Sequence, residues 1–244
     1  MANSLASVKL LDGDLGKITA SQVAASINPD DIHAPETTMV SLENTMNKGG
    51  GSIYTLEEVI PIQKVCQEHG LKLHLDGARL FNALVASGES PKDWGAQFDT
   101  ISICLSKGLG CPVGSVLLGS KADIKRARKV RKVMGGGMRQ AGFLAAAGIY
   151  ALDHQVERLK EDHARARALG EMLLKKSFVP EVLPVATNIA IARLDGITPE
   201  FFLEKLREKE IKAVKFGPDL VRFVTHHDFG DDQLEEFGKR ISEM

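Results

Sequence analysis

His74-Leu75-Asp76-Gly77-Ala78-Arg79 and Ser106-Lys107-Gly108-Leu109-Gly110 each stand where an apolar run stops. The runs, Leu71–Leu75 and Thr100–Leu105, read as buried strands, and between them Ala78 to about Ser87 reads as a helix. A strand, helix, strand order predicts parallel neighbours, because the crossover returns the chain to the same edge. Asp76 and Lys107, 31 positions apart, then share the carboxyl edge of the sheet, where open α/β sheets bind ligands.

Upstream, Val8–Leu11 is a short candidate strand. Thr19 and Gln22 have the spacing of a capping box, which starts a helix running to about Ile27. Thr38–Leu42 reads as a buried strand, and a glycine-rich loop follows from Asn47 to Gly51. Thr55 caps a helix whose apolar positions, Val59 to Cys66, approximate a 3.6 period, and Gly70 closes it. Downstream, Val113–Leu118 is a further strand. Only Ser106 to Pro112 separate it from the last one, too few for a parallel crossover, so it is expected to run antiparallel.

A basic helix over 121–134 comes next, then Gly135-Gly136-Gly137, then a long helical stretch from Ala141 to about Lys176 with weak points at Gly148 and Gly170. The last third alternates differently: strand Thr187–Leu194, helix Thr198–Lys209, strands Ile211–Lys215 and Leu220–Thr225, helix Asp231–Ile241. The expected architecture is α/β, a mainly parallel sheet with one antiparallel strand, plus a small C-terminal α+β domain. The expected boundaries are 1–140 for the large domain, 141–180 for an interdomain helix and 181–244 for the small domain.

The 244 residues leave room for one large and one small domain. With 31 basic and 32 acidic residues the net charge is −1, which argues against nucleic acid or a membrane surface as partner. The basic helix therefore reads as a solvated face. Met1 to Lys9 lacks the long apolar core of a secretory leader, and no stretch approaches the ~20 apolar residues of a membrane span. Cys66, Cys104 and Cys111 have no metal-ligand spacing and read as reduced thiols in a cytoplasmic setting. His226-His227 lacks acidic or cysteine partners, so no metal is expected.

Taken singly, Lys107 reads as a solvated loop lysine and Asp76 as a turn or N-cap residue. Together on one edge they are the acid and the lysine that a pyridoxal phosphate site requires, the lysine for a Schiff base and the acid for the pyridine nitrogen. Gly108 and Gly110 let the chain turn tightly after the strand.

The chain resembles the threonine aldolases, fold-type I pyridoxal phosphate enzymes close to the β-eliminating lyases. The resemblance runs through nearly the whole chain. It rests on Asp30-Asp31-Ile32-His33, Ser41-Leu42-Glu43-Asn44-Thr45, Leu75 to Ala83, Ser102 to Gly110, Gly135-Gly136-Gly137-Met138-Arg139-Gln140 and Val221 to His226, in that order. It implies an aminotransferase-like large domain and pyridoxal 5′-phosphate on Lys107, with Asp76 on the pyridine nitrogen. Arg79 would lie beside cofactor and substrate carboxylate, and Arg222 would clamp that carboxylate. His33 would lie near the substrate hydroxyl, and Arg139 would reach the cofactor phosphate of a neighbouring subunit.

The implied reaction is retro-aldol cleavage of L-threonine or L-allo-threonine to glycine and acetaldehyde, in a homo-oligomer, a dimer or tetramer. Two departures stand out. Met46 occupies a position where the family has histidine. The family also begins well before this sequence does, so an N-terminally shortened form is expected. The earlier segment carries the start of the sheet, a Gly-Thr turn that grips the phosphate and a histidine that stacks on the ring. The alternatives are a non-catalytic form that assembles with full-length subunits, or the same cofactor used for β-elimination.

Overall fold

The computed structural model describes residues 6–244; Met1 to Leu5, part of the stretch read for a leader, lie outside the described residues. Helix α1 (Ala20–Ser26) starts at Thr19 with the expected box: Gln22 N–H donates to Thr19 Oγ1 at 3.3 Å, and Thr19 N–H donates to Gln22 Oε1 at 2.8 Å. Strand β1 (Met39–Glu43) leads through the Asn47–Gly51 turn to α2 (Leu56–Glu68), β2 (Lys72–Gly77), α3 (Leu80–Ser87), α4 (Pro91–Gly95) and β3 (Thr100–Cys104). Strand β4 (Ser115–Gly119) closes the first sheet.

Its order is β1-β2-β3-β4, the first three parallel and the last antiparallel, as the short 106–112 link requires. The register places Glu43 beside Asp76, and Asp76 beside Ser102. Leu42, Leu73, Leu75, Val59, Ile62 and Trp94 form the core between this sheet and its helices. The Trp94 indole N–H, buried with it, donates to Glu89 at 2.8 Å. Val8 and Leu10, by contrast, are 63% and 88% exposed, and the expected strand at Val8–Leu11 does not form; among the described residues no strand pairs with it.

Helix α5 (Lys121–Val133) has no buried residue, which fits a solvated basic face. The long helix expected from Ala141 to Lys176 is two helices, α6 (Gly142–His154) and α7 (Leu159–Leu173). The break falls at 155–158 and not at the glycines. Gly148 and Gly170 are close-packing points inside the helices: a Cβ would stand 3.2 Å from Leu105 at one and 3.3 Å from Val182 at the other. The chain turns between α6 and α7 because Leu159 is fully buried against the Lys107 loop, in a small cluster with Leu105, Leu109, Cys111 and Ala151.

The remaining elements are β5 (Glu181–Val182), β6 (Ile189–Arg193), α8 (Pro199–Glu208), β7 (Val214–Lys215), β8 (Leu220–Val224) and α9 (Asp231–Ser242). They form an antiparallel sheet, β5-β6-β8-β7, backed by α7, α8 and α9 around Phe202, Leu206, Val221 and Phe237. The Asn47–Gly51 turn bridges the two sheets, with Thr187 Oγ1 donating to Gly51 O at 3.1 Å. No helix among the described residues is long and apolar enough to cross a membrane.

Candidate active site

The carboxyl ends of β1, β2 and β3 place Glu43, Asp76 and the Lys107 loop along one edge. Asp76 is exposed; one carboxylate oxygen accepts the Ala78 N–H at 3.1 Å, and the other has no hydrogen-bond partner among the described residues. The Lys107 loop is tied down by its backbone. Gly110 N–H donates to Lys107 O at 2.9 Å, Cys111 N–H to Leu105 O at 3.0 Å, and Leu105 N–H to Gly114 O at 3.0 Å. The Lys107 side chain is exposed, with no hydrogen bond or ion pair to any described residue.

Arg79 occupies the N-cap position of α3, and its N–H donates to Asn44 O at 3.3 Å. Arg222 comes from β8, in the other sheet. Its Nη1 donates to Asn47 Oδ1 at 2.6 Å, and its guanidinium lies 4.9 Å from the centre of the Phe216 ring. A stacked, fork-shaped cation of this kind is pre-oriented for a carboxylate. The Arg222 Nε–H is buried and has no acceptor among the described residues, a donor left over for a ligand.

The two arginines feel each other. Burial pulls the Arg79 guanidinium below its ordinary value and the Arg222 charge pulls it further, while Glu43, Cys104 and Asp76 pull it back. Burial also lowers Arg222. Both stay charged, so the site concentrates positive charge that a bound anion would relieve. Glu43 is oriented by its own contact, accepting the Asn47 N–H at 3.2 Å.

Asp76, Arg79 and Arg222 therefore share one electrostatic neighbourhood, with the Lys107 loop on the adjacent strand end. His33 and Arg139 make no hydrogen bond or ion pair with these residues. His33 is exposed in the turn before β1; its backbone N–H donates to Asp31 at 2.7 Å and its ring has no hydrogen bond to a described residue. Arg139 is exposed on the loop between α5 and α6, without an ion pair among the described residues. The sequence reading missed Asn47 and Phe216. Asn47 lay in a loop noted only for its glycines, and its partner is 175 positions away.

The chain matches the family model described as beta-eliminating lyase over residues 2–196. The low specificity L-threonine aldolase of Escherichia coli strain K12 is 42% identical over 221 residues, covering 91% of this chain and 64% of that protein. The low specificity L-threonine aldolase of Saccharomyces cerevisiae is 36% identical over 233 residues, covering 93% and 57%. The chain thus spans less than two thirds of the length of these curated relatives. The structure of Leishmania major threonine aldolase covers 96% of this chain and 69% of its own, with a TM-score of 0.78 at 20% identity, a likeness of fold. From the carboxyl-edge topology and the family match over most of its length, this chain belongs to the beta-eliminating lyase family.

Proposed function

We propose that this chain carries out pyridoxal-phosphate-dependent retro-aldol cleavage of L-threonine or L-allo-threonine, giving glycine and acetaldehyde. The observation that carries the reading is the unpartnered Lys107 amine at the strand end beside Asp76, with the paired guanidiniums of Arg79 and Arg222 alongside. The names of the Escherichia coli and Saccharomyces cerevisiae relatives support the same activity.

The residues suit the cofactor at its reactive end. Lys107 has a free amine to hold it, and Asp76 has a free carboxylate oxygen for the pyridine nitrogen. The phosphate end is met differently. The amides of Gly50, Gly51 and Ser52 already donate to turn carbonyls, so that glycine-rich loop offers no cradle. Arg139 of a neighbouring subunit is assigned to the phosphate, which makes a homo-oligomer part of the reading. The apolar side chains exposed at Leu117, Leu118 and Phe143 support such assembly.

When bound, pyridoxal phosphate supplies an electron sink for the pair released as the Cα–Cβ bond breaks. The protein does the rest. Arg222, braced by Asn47 and Phe216, and Arg79 hold the substrate carboxylate and so fix the rotation about Cα. Asp76 keeps the ring nitrogen protonated. His33, whose exposed ring has no hydrogen bond among the described residues, or a water that it orients, would take the proton from the substrate hydroxyl. Free thiols at Cys66, Cys104 and Cys111 accord with a cytoplasmic setting.

The test is a titration of the purified chain with pyridoxal phosphate. A yellow complex that borohydride fixes on Lys107, and that releases acetaldehyde and glycine from L-threonine, is the expected result. A chain that takes up no cofactor, alone or with full-length subunits, would defeat the reading. The family description also names a second reaction, β-elimination. Ammonia and a keto acid from serine or threonine, without glycine, would establish it instead.

A further inference from the structure

We propose that the first turn of α7 positions the site, with Asp162 as its positioning residue: the carboxylate holds Arg158 on the Lys107 loop, and the main-chain carbonyl holds the strand of Arg222. The inference rests on the proposed roles of Lys107 and Arg222 for its functional meaning, but its geometry is independent of them.

Asp162 is fully buried on a helix whose sequence, Arg158-Leu159-Lys160-Glu161-Asp162-His163, reads as solvent-facing. A buried carboxylate is tolerated only when paired, and this one is gripped by a fork. Arg158 Nη2 donates to Oδ1 at 2.6 Å and Nη1 to Oδ2 at 3.3 Å. The same Nη1 reaches the Gly108 carbonyl at 3.5 Å. That bond is long, but the contact beneath it is tight. A Cβ on Gly108 would stand 2.9 Å from Leu159 and 3.4 Å from the Asn82 amide, so the backbone next to Lys107 rests directly on α7.

The same face of α7 holds the two other segments. The His163 ring meets Asn82 Oδ1 at 3.0 Å, both side chains buried, and Asn82 lies three residues after Arg79 on α3. Thr225 Oγ1 donates to Asp162 O at 2.7 Å, and Thr225 lies three residues after Arg222. Asn188 locks that end of β8 from the other side, its Nδ2 donating to Thr225 O at 2.9 Å. Arg158, Leu159, Asp162 and His163 follow the i, i+1, i+4, i+5 spacing of one helix face. Through it they touch the carriers of Lys107, Arg79 and Arg222. A helix that only filled a core would present apolar side chains here. A buried ion pair and a buried histidine contribute defined geometry instead, at a cost in stability.

The test is amide hydrogen exchange on the full chain without cofactor, comparing wild type with Arg158→Ala, Arg158→Lys and Asp162→Asn. Arg158→Ala and Asp162→Asn should speed exchange in 105–111 by about tenfold or more, with α2 unchanged. Arg158→Lys should fall between, because an ammonium cannot make the fork. Millimolar guanidinium should restore protection in Arg158→Ala and not in Asp162→Asn, an outcome that lost packing alone would not produce.

Wild-type exchange in 105–111 for all three variants overturns the inference. So does equal loosening of α2. If Arg158→Ala does not fold, Arg158→Lys decides by the same pattern. With pyridoxal phosphate present, the variants should also slow borohydride capture of Lys107. Should the wild type bind no cofactor while 105–111 still loosens in Arg158→Ala, the functional reading fails and the positioning stands.

Discussion

Asp76 and Lys107 stand exposed at the ends of adjacent strands; among the described residues one backbone hydrogen bond reaches the Asp76 carboxylate and none reaches the lysine side chain. Arg79 and Arg222 are partly buried, one capping α3 and the other stacked on Phe216 and bonded to Asn47. The first pair is placed by topology: parallel strands with a crossover put their carboxyl ends side by side whatever the side chains do. The second pair is placed by packing, across two sheets and 175 positions of sequence. Residues set by topology should be replaceable without harm to the fold. Residues set by packing should affect fold and ligand together.

Lys107→Ala gives the largest separation of the two effects. Turnover should drop below detection, while stability stays within about 0.5 kcal/mol, because the side chain is exposed and makes no contact that folding needs. Acetaldehyde release and a thermal melt measure the two. A melt lowered by many degrees would show that Lys107 belongs to the packed half.

Acid should strain the packed half first. Burial pushes His163 down to about 4 from 6.5. Between those values the unfolded chain binds a proton that the folded chain refuses. Stability is then intact above about pH 6.5 and falls as pH drops toward 4, by on the order of 3 kcal/mol. His163→Gln should flatten this dependence in urea titrations across the window. An unchanged pH profile in that variant would assign the acid loss elsewhere.

Arg222→Ala should raise KM by about 10- to 100-fold, the effect of one charged hydrogen-bonding partner of roughly 1.5–3 kcal/mol. It should also lower stability, unlike Lys107→Ala, since the Phe216 stack and the Asn47 bond go with it.

This division also explains what the sequence disclosed. The strand, helix, strand reading around Asp76 and Lys107 and the antiparallel turn of β4 needed only run lengths and link lengths. The cap at Thr19 needed only local spacing. The α7 contacts were hidden because charge normally signals solvent, and here Asp162 and His163 are buried and meet Thr225 and Asn82, 63 and 81 positions away. Val8–Leu11 misled for the opposite reason: three of its four residues are apolar, but no neighbouring strand among the described residues reaches them. Strand β5 is two residues long and carries no periodicity to read.

Asn47 marks where the two halves join, and its substitution should have the smallest effect. Its Oδ1 takes one of five guanidinium donors of Arg222, and its N–H orients Glu43 through the backbone, which substitution leaves in place. Asn47→Ala should therefore raise KM by roughly fivefold, about 1 kcal/mol, with kcat nearly unchanged. Asn47→Asp separates support from competition. A carboxylate at that position would keep the hydrogen bond and add a charge that occupies Arg222. If Asn47 acts only as a brace, Asn47→Asp should bind substrate as well as wild type. If Arg222 must keep its charge for the ligand, Asn47→Asp should raise KM more than Asn47→Ala does. The second outcome is expected, because the two guanidiniums already repel each other and an internal anion would relieve the charge that draws the substrate.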